Sequence, residues 1–167
     1  LHLSFFIIFL SFLPFLYAQN TPQQQDISKI LISTESVFKT MESKDFKGIW
    51  QGITEKSKKR IVEDVYKEEQ KLSKKENKPM VLTKEMIFDD FNSVGPISKA
   101  YWNAFLEVFD PVTVLEQSTW KMGKIEGNYA EVIIQYRKSE RPAIVQMYNE
   151  KGEWKLGLVE TFWTSIR

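Results

Sequence analysis

The sequence predicts an α+β domain in which N-terminal helices pack on a curved, mainly antiparallel sheet of about four strands. Two observations carry this. From Ile27 to Val108 the apolar residues recur at helical spacing, and after Pro111 the period shortens to two. The turn-rich segments "GKIEGN", "KSERP" and "NEKG" then divide the C-terminal part into strand-sized pieces.

Of the 167 residues, 43% are hydrophobic and 14% aromatic, enough to build a core. Lys and Arg number 23 against 22 Asp and Glu, so no basic excess points to a nucleic-acid partner. The opening "LHLSFFIIFLSFLPFLYA" carries no Lys, Arg, Asp or Glu and ends on a small residue. It reads as a cleaved export signal over 1–18, which predicts a periplasmic or extracellular protein. The polar "QNTPQQQD" over 19–26 reads as a flexible tether. One folded domain is expected over 27–167.

Cleavage after Ala18 removes His2, the only His, and the chain has no Cys. The mature protein then lacks Ser-His and Cys-His nucleophilic pairs and zinc sites built on His or Cys. No Asp-rich calcium loop is present either, so no metal and no cofactor is expected. Asp, Glu, Lys, Tyr, Ser and Thr remain as chemical actors, and none is assigned a catalytic role.

Asp26 is a plausible cap for a first helix with its stripe at Ile27, Ile30, Leu31, Val37, Phe38 and Met41. After "ESKDF", a short helix follows with Phe46, Ile49, Trp50 and Ile53, weakened by Gly48 and Gly52. Thr54 caps the next helix, whose stripe is Ile61, Val62, Val65, Tyr66 and Leu72. Its charged remainder, "KEEQKLSKKENK", reads as a solvated face with a Glu63–Lys67 pair. Thr83 caps a helix bearing Met86, Ile87 and Phe91, which breaks at Gly95-Pro96. A further helix buries Ile97, Tyr101, Ala104, Phe105 and Val108, and Asp110-Pro111 ends it. The adjacent Asp89 and Asp90 point about 100° apart on a helix and read as surface.

Strands are expected over "VTVLEQSTWKM", "YAEVIIQYR", "AIVQMY" and "GEWKLGLVETFW". In the last, alternation places Trp154, Leu156, Leu158, Glu160 and Phe162 on one face. A carboxylate on that face has three readings: a pocket group, a wet rim where the strand outruns its cover, or the partner of a cation on a neighbouring strand. The rim is preferred. The pocket reading supplies the ligand-site candidates Glu160, Tyr136, Trp154, Leu158 and Phe162, suited to a small apolar ligand. Trp163 falls on the opposite face with Lys155, Gly157 and Thr161, where it is an interface candidate for a homodimer through the outer sheet face.

The stretches "VFKTMESKDFKGIWQGIT" and "NEKGEWKLGLVETFW" resemble the nuclear transport factor 2-like superfamily, which opens with an amphipathic helix, an Asp-Phe step and a second helix. The resemblance covers most of 27–163 and implies a cone-shaped fold with a curved sheet around a helix. Its members include isomerases, dehydratases, transport factors and binding modules. The resemblance implies dehydratase sites that use His, which the mature chain lacks, or isomerase sites that use Tyr and carboxylates. The expected function is a non-enzymatic exported binding module for a small apolar ligand or a protein partner. A Tyr/carboxylate isomerase or hydrolase and an assembly protein are the alternatives.

Overall fold

The computed structural model describes residues 22–163. The predicted signal segment over 1–18 lies outside the described residues. Six helices come first: α1 (Pro22–Glu42), α2 (Phe46–Gly52), α3 (Glu55–Lys75), α4 (Lys84–Ser93), α5 (Pro96–Val108) and α6 (Pro111–Glu116). Four strands follow, β1 (Ser118–Glu126), β2 (Tyr129–Tyr136), β3 (Ala143–Glu150) and β4 (Glu153–Leu156), and a short α7 (Leu158–Phe162) ends the described chain. The α+β class is therefore as predicted. Among the described residues, no helix is long and apolar enough to cross a membrane.

The helices begin where local chemistry satisfies their free N–H groups. Asp45 accepts from Gly48 N at 2.9 Å, Thr54 from Ser57 N at 3.0 Å and Thr83 from Met86 N at 3.2 Å. Gly95 has no side chain to cap α5, and Asp90 of α4 reaches across to do it. Its carboxylate accepts from Ser98 N at 2.7 Å and Ile97 N at 3.3 Å. Asp90 is thus a cap and not the plain surface residue expected from sequence, whereas Asp89 is exposed.

The strands pair antiparallel in the order β1-β2-β3-β4. Ala130 faces Met147, Val132 faces Val145, and Met147 in turn faces Leu156. These residues are buried and form the inner face. α1 lies against that face and contacts β4, β2 and α2. Ile53 bridges Leu156 in parallel, and Thr54 N donates to Leu156 O at 3.0 Å, so the link between α2 and α3 covers part of the β4 edge.

Rings fill the interior. Phe91 sits 4.6 Å from Trp50 and 6.2 Å from Trp102, and Trp102 sits 5.9 Å from Phe105. Phe105 stacks on Phe109, which stacks on Phe38, and Phe38 meets Trp120 edge-on. Trp50 Nε1 donates to Asn92 Oδ1 and Trp120 Nε1 to Val114 O. Among the described residues, Trp102 Nε1 is buried with no hydrogen-bond partner.

Four expectations are corrected. α1 begins at Pro22, so residues 22–26 are helical and Asp26 lies inside the helix instead of capping it. Pro fixes φ for a first helical turn and Gln is a good helix former. "PVTVLE" is helix α6, because Asp110 accepts from Val112 N and Thr113 N and outweighs the β-branched residues behind it. The face that α5 buries is centred on Ser98 and Trp102, leaving Val108 87% exposed. Finally, the last strand stops at Leu156. At Gly157 the chain turns into α7, and any Cβ there would lie 2.7 Å from the Tyr148 ring and 3.1 Å from Gln146 O.

Candidate functional site

Glu160 therefore sits on a helical turn and not on a strand. It is 5% exposed, which overturns the rim reading. α7 packs against the start of α3, and the carboxylate meets two hydroxyls there. Ser57 Oγ donates to Glu160 Oε2 at 2.8 Å, and Thr54 Oγ1 lies 3.4 Å from Oε1. Ser57 Oγ also accepts from Val159 N at 3.1 Å. Lys56 Nζ stands 3.7 Å from Oε1 but is 75% exposed, so the cation contact is at the solvent edge and comes from α3, not from a neighbouring strand. A second carboxylate, Glu150 at the β3–β4 turn, accepts from Glu55 N at 3.2 Å. Two acidic groups thus approach the positive end of the α3 dipole.

Ser57 and Thr54 are fully buried. The hydrogen bonds of this cluster tie three parts of the chain together: the α2–α3 link, α3 and α7. The same charge acts at a distance on Tyr148, whose phenol is held above its ordinary pKa, first by desolvation and then by Glu160.

The other pocket candidates do not converge on this carboxylate. Trp154 and Leu158 are buried members of the core, and Phe162 packs edge-on against Phe109 at 5.2 Å. Tyr136 pairs with Ser118 at the far end of β2. Glu131 of β2 pairs with Gln146, whose side chain donates to Glu160 O at 2.9 Å. From Glu131 to Tyr136 is roughly 17 Å of strand. Trp163 stacks on Phe105, centroids 6.2 Å apart and planes 6° apart, instead of standing on the outer sheet face. That face carries Tyr129, Ile133, Ile144 and Tyr148 at half-buried or exposed positions.

The structure brings together a different set of residues. A groove of about 560 Å³ runs between α3 and α5. Val65, Ile97, Ala100 and Tyr101 give it an apolar floor, and Asp64, Glu68 and Glu69 form one wall. Burial, and secondarily the Asp64 charge, raises the Tyr101 pKa, so this phenol stays protonated and offers a donor. The groove follows from the rotation of α5. Once Trp102 takes the core position, the apolar Ile97, Ala100 and Tyr101 are left beside α3. Sequence patterning marked Val65, Ile97 and Tyr101 as apolar stripe residues but assigned them to the core.

A second groove, of about 320 Å³, lies between the C-terminal half of α3 and residues 78–82. Leu72, Met80 and Val81 line it, and Glu69 lines both grooves. Among the described residues, no group of three or more His, Cys, Asp or Glu side chains is arranged to hold a metal ion. No protein-family model matches the chain, and no curated protein or solved structure matches it either.

Proposed function

We propose that this chain is an exported, non-enzymatic binding module of the nuclear transport factor 2-like type. We further propose that it takes a protein partner on its helical surface and holds no ligand inside the fold. The observation that carries the reading is the apolar groove between α3 and α5. Its size falls in the range of ligand-binding clefts, about 300–1,000 Å³. The interior, by contrast, is occupied by the Trp50, Phe91, Trp102, Phe105 and Phe38 rings. The Asp45-Phe46 step that opens α2 supports the superfamily reading, since Asp45 caps the helix there. Export is supported by the uncharged apolar stretch over 1–18.

The test is a titration of the isotope-labelled chain with a short amphipathic peptide of Leu and Ser, followed by amide shifts. Saturable shifts at Val65, Ile97 and Ala100 are expected. Ala100→Trp, at an exposed position on the groove floor, should abolish them while leaving the melting temperature unchanged. Shifts that survive Ala100→Trp, or that cluster on the outer sheet face, would reject the groove as the binding face.

A further inference from the structure

We propose that the partner is a basic amphipathic segment of another protein and that Glu69 selects its charge; this rests on the groove being the binding face. The two grooves share Glu69 and together follow α3 from Asp64 to its C-cap, Glu76. At about 1.5 Å of rise per residue that is roughly 18 Å, the length of three helical turns, and it suits a peptide segment better than a compact small molecule. Apolar side chains flank Glu69 along the trough. Val65, Ile97 and Tyr101 lie on one side, and Leu72 and Val81 on the other, with Val81 75% exposed.

The carboxylates of this wall are not equivalent. Asp64 is held by Arg60 Nε at 2.9 and 3.0 Å, and Glu68 by Lys71 Nζ at 3.0 Å. Lys78, in the second groove, is taken by Glu76 at 2.7 Å. Glu69 has no hydrogen bond or ion pair among the described residues. The helix explains why: the positions three and four away are Val65, Tyr66, Leu72 and Ser73, none of them cationic. Glu69 is half-buried. A neutral or acidic segment laid over it strips water from the charge and returns nothing. A Lys or Arg between two apolar anchors restores the lost solvation and fixes the register of the segment.

The experiment compares three peptides of equal length with the same Leu pattern and with Lys, Ser or Glu at the polar positions, on the full chain and on Glu69→Gln and Glu69→Lys. The Leu/Lys peptide should bind about tenfold more tightly than the Leu/Ser peptide, and the advantage should shrink as salt is raised. Glu69→Gln should remove that advantage, with Leu/Ser binding more tightly because no charge is left to desolvate, and Glu69→Lys should transfer it to Leu/Glu. Equal binding of Leu/Lys and Leu/Ser would overturn the charge inference and leave the groove reading standing. A Leu/Lys advantage that persists in Glu69→Gln would overturn the role of Glu69. Absence of binding by all three peptides would overturn both. Melting curves confirm that each variant is folded before the comparison is made.

Discussion

Ser57 and Glu160, separated by 103 residues in sequence, meet in the interior through a 2.8 Å hydrogen bond from Ser57 Oγ to Glu160 Oε2. The same oxygen of Ser57 receives Val159 N, so one hydroxyl both feeds the carboxylate and caps the start of α7. Ser57→Ala should cost about 1.5–3 kcal/mol, the range for a hydrogen bond to a charged group. Lys56→Ala should stay within about 0.5 kcal/mol, as for ordinary surface sites. Urea unfolding of the two variants checks the order. The double variant Ser57→Ala/Glu160→Gln should show coupling of at least about 0.5 kcal/mol, as expected for residues in contact. Additive losses would mean that the two side chains act independently.

Asp90 and Asp89 offer a comparison between neighbours. Asp90 supplies the cap that Gly95 cannot, through Ser98 N and Ile97 N. Asp90→Ala should cost about 1–2 kcal/mol, in the range for lost helix caps, and Asp89→Ala less than about 0.5 kcal/mol. Thermal melts of the pair decide it. Equal losses would show that the carboxylates share one role. Gly95→Ala should also destabilise the chain, because its new methyl group would meet the Asp90 carboxylate.

Where the fold was legible in the sequence, a local signal and its tertiary setting agreed. Thr54 and Thr83 cap the helices they were expected to cap, and Ala130, Val132 and Ile134 share the buried face of β2 as their alternation requires. The reading failed where two local signals competed. In "DPVTVLE", three β-branched residues suggested a strand, but Asp110 and Pro111 form a helix start. In "WKLGLVETFW", the alternation runs on through Gly157 although the chain turns there, and Glu160 was therefore placed on the wrong element. The groove was hidden for another reason. Which of Tyr101 and Trp102 is the more deeply buried depends on what α4 presents to α5, where Phe91 meets both rings, at 5.5 and 6.2 Å, and no pattern within α5 records this. Glu69 lay within a run of charge that matched a solvated helix face. Its apolar surroundings come from α5 and from residues 78–82.

Gly157 is the point at which the last strand becomes a helix. Its φ of −73° is open to any residue, so the requirement for glycine is spatial and not conformational. A methyl group there would press on the Tyr148 ring at 2.7 Å and on Gln146 O at 3.1 Å. Gly157→Ala should therefore cost about 1–3 kcal/mol, as for overpacked sites. The additional change Tyr148→Leu, which removes the ring, should return part of the loss. Chemical unfolding of the single and double variants measures it, and no recovery in the double variant would place the clash on the backbone oxygen instead.

Tyr129 makes the alkaline limit of the fold testable. Its ring lies 5.3 Å from that of Tyr148, and its hydroxyl donates to Glu131 Oε1 at 2.8 Å. Desolvation, followed by this bond and the charge of Glu131, pushes its pKa up to about 12 from an ordinary value of 10.0. Between those values the folded chain holds a proton that the unfolded chain has released. The contribution is fully present below pH 10 and is lost as the pH rises toward 12, so the slope of stability against pH is negative in that window. Tyr129→Phe retains the ring and removes the titration. Its unfolding free energy should fall less steeply than that of the parent chain from pH 10 to pH 12, with the two curves parallel below pH 9. Identical slopes above pH 10 would show that the Tyr129 proton is not linked to folding and that the bond to Glu131 does not hold it.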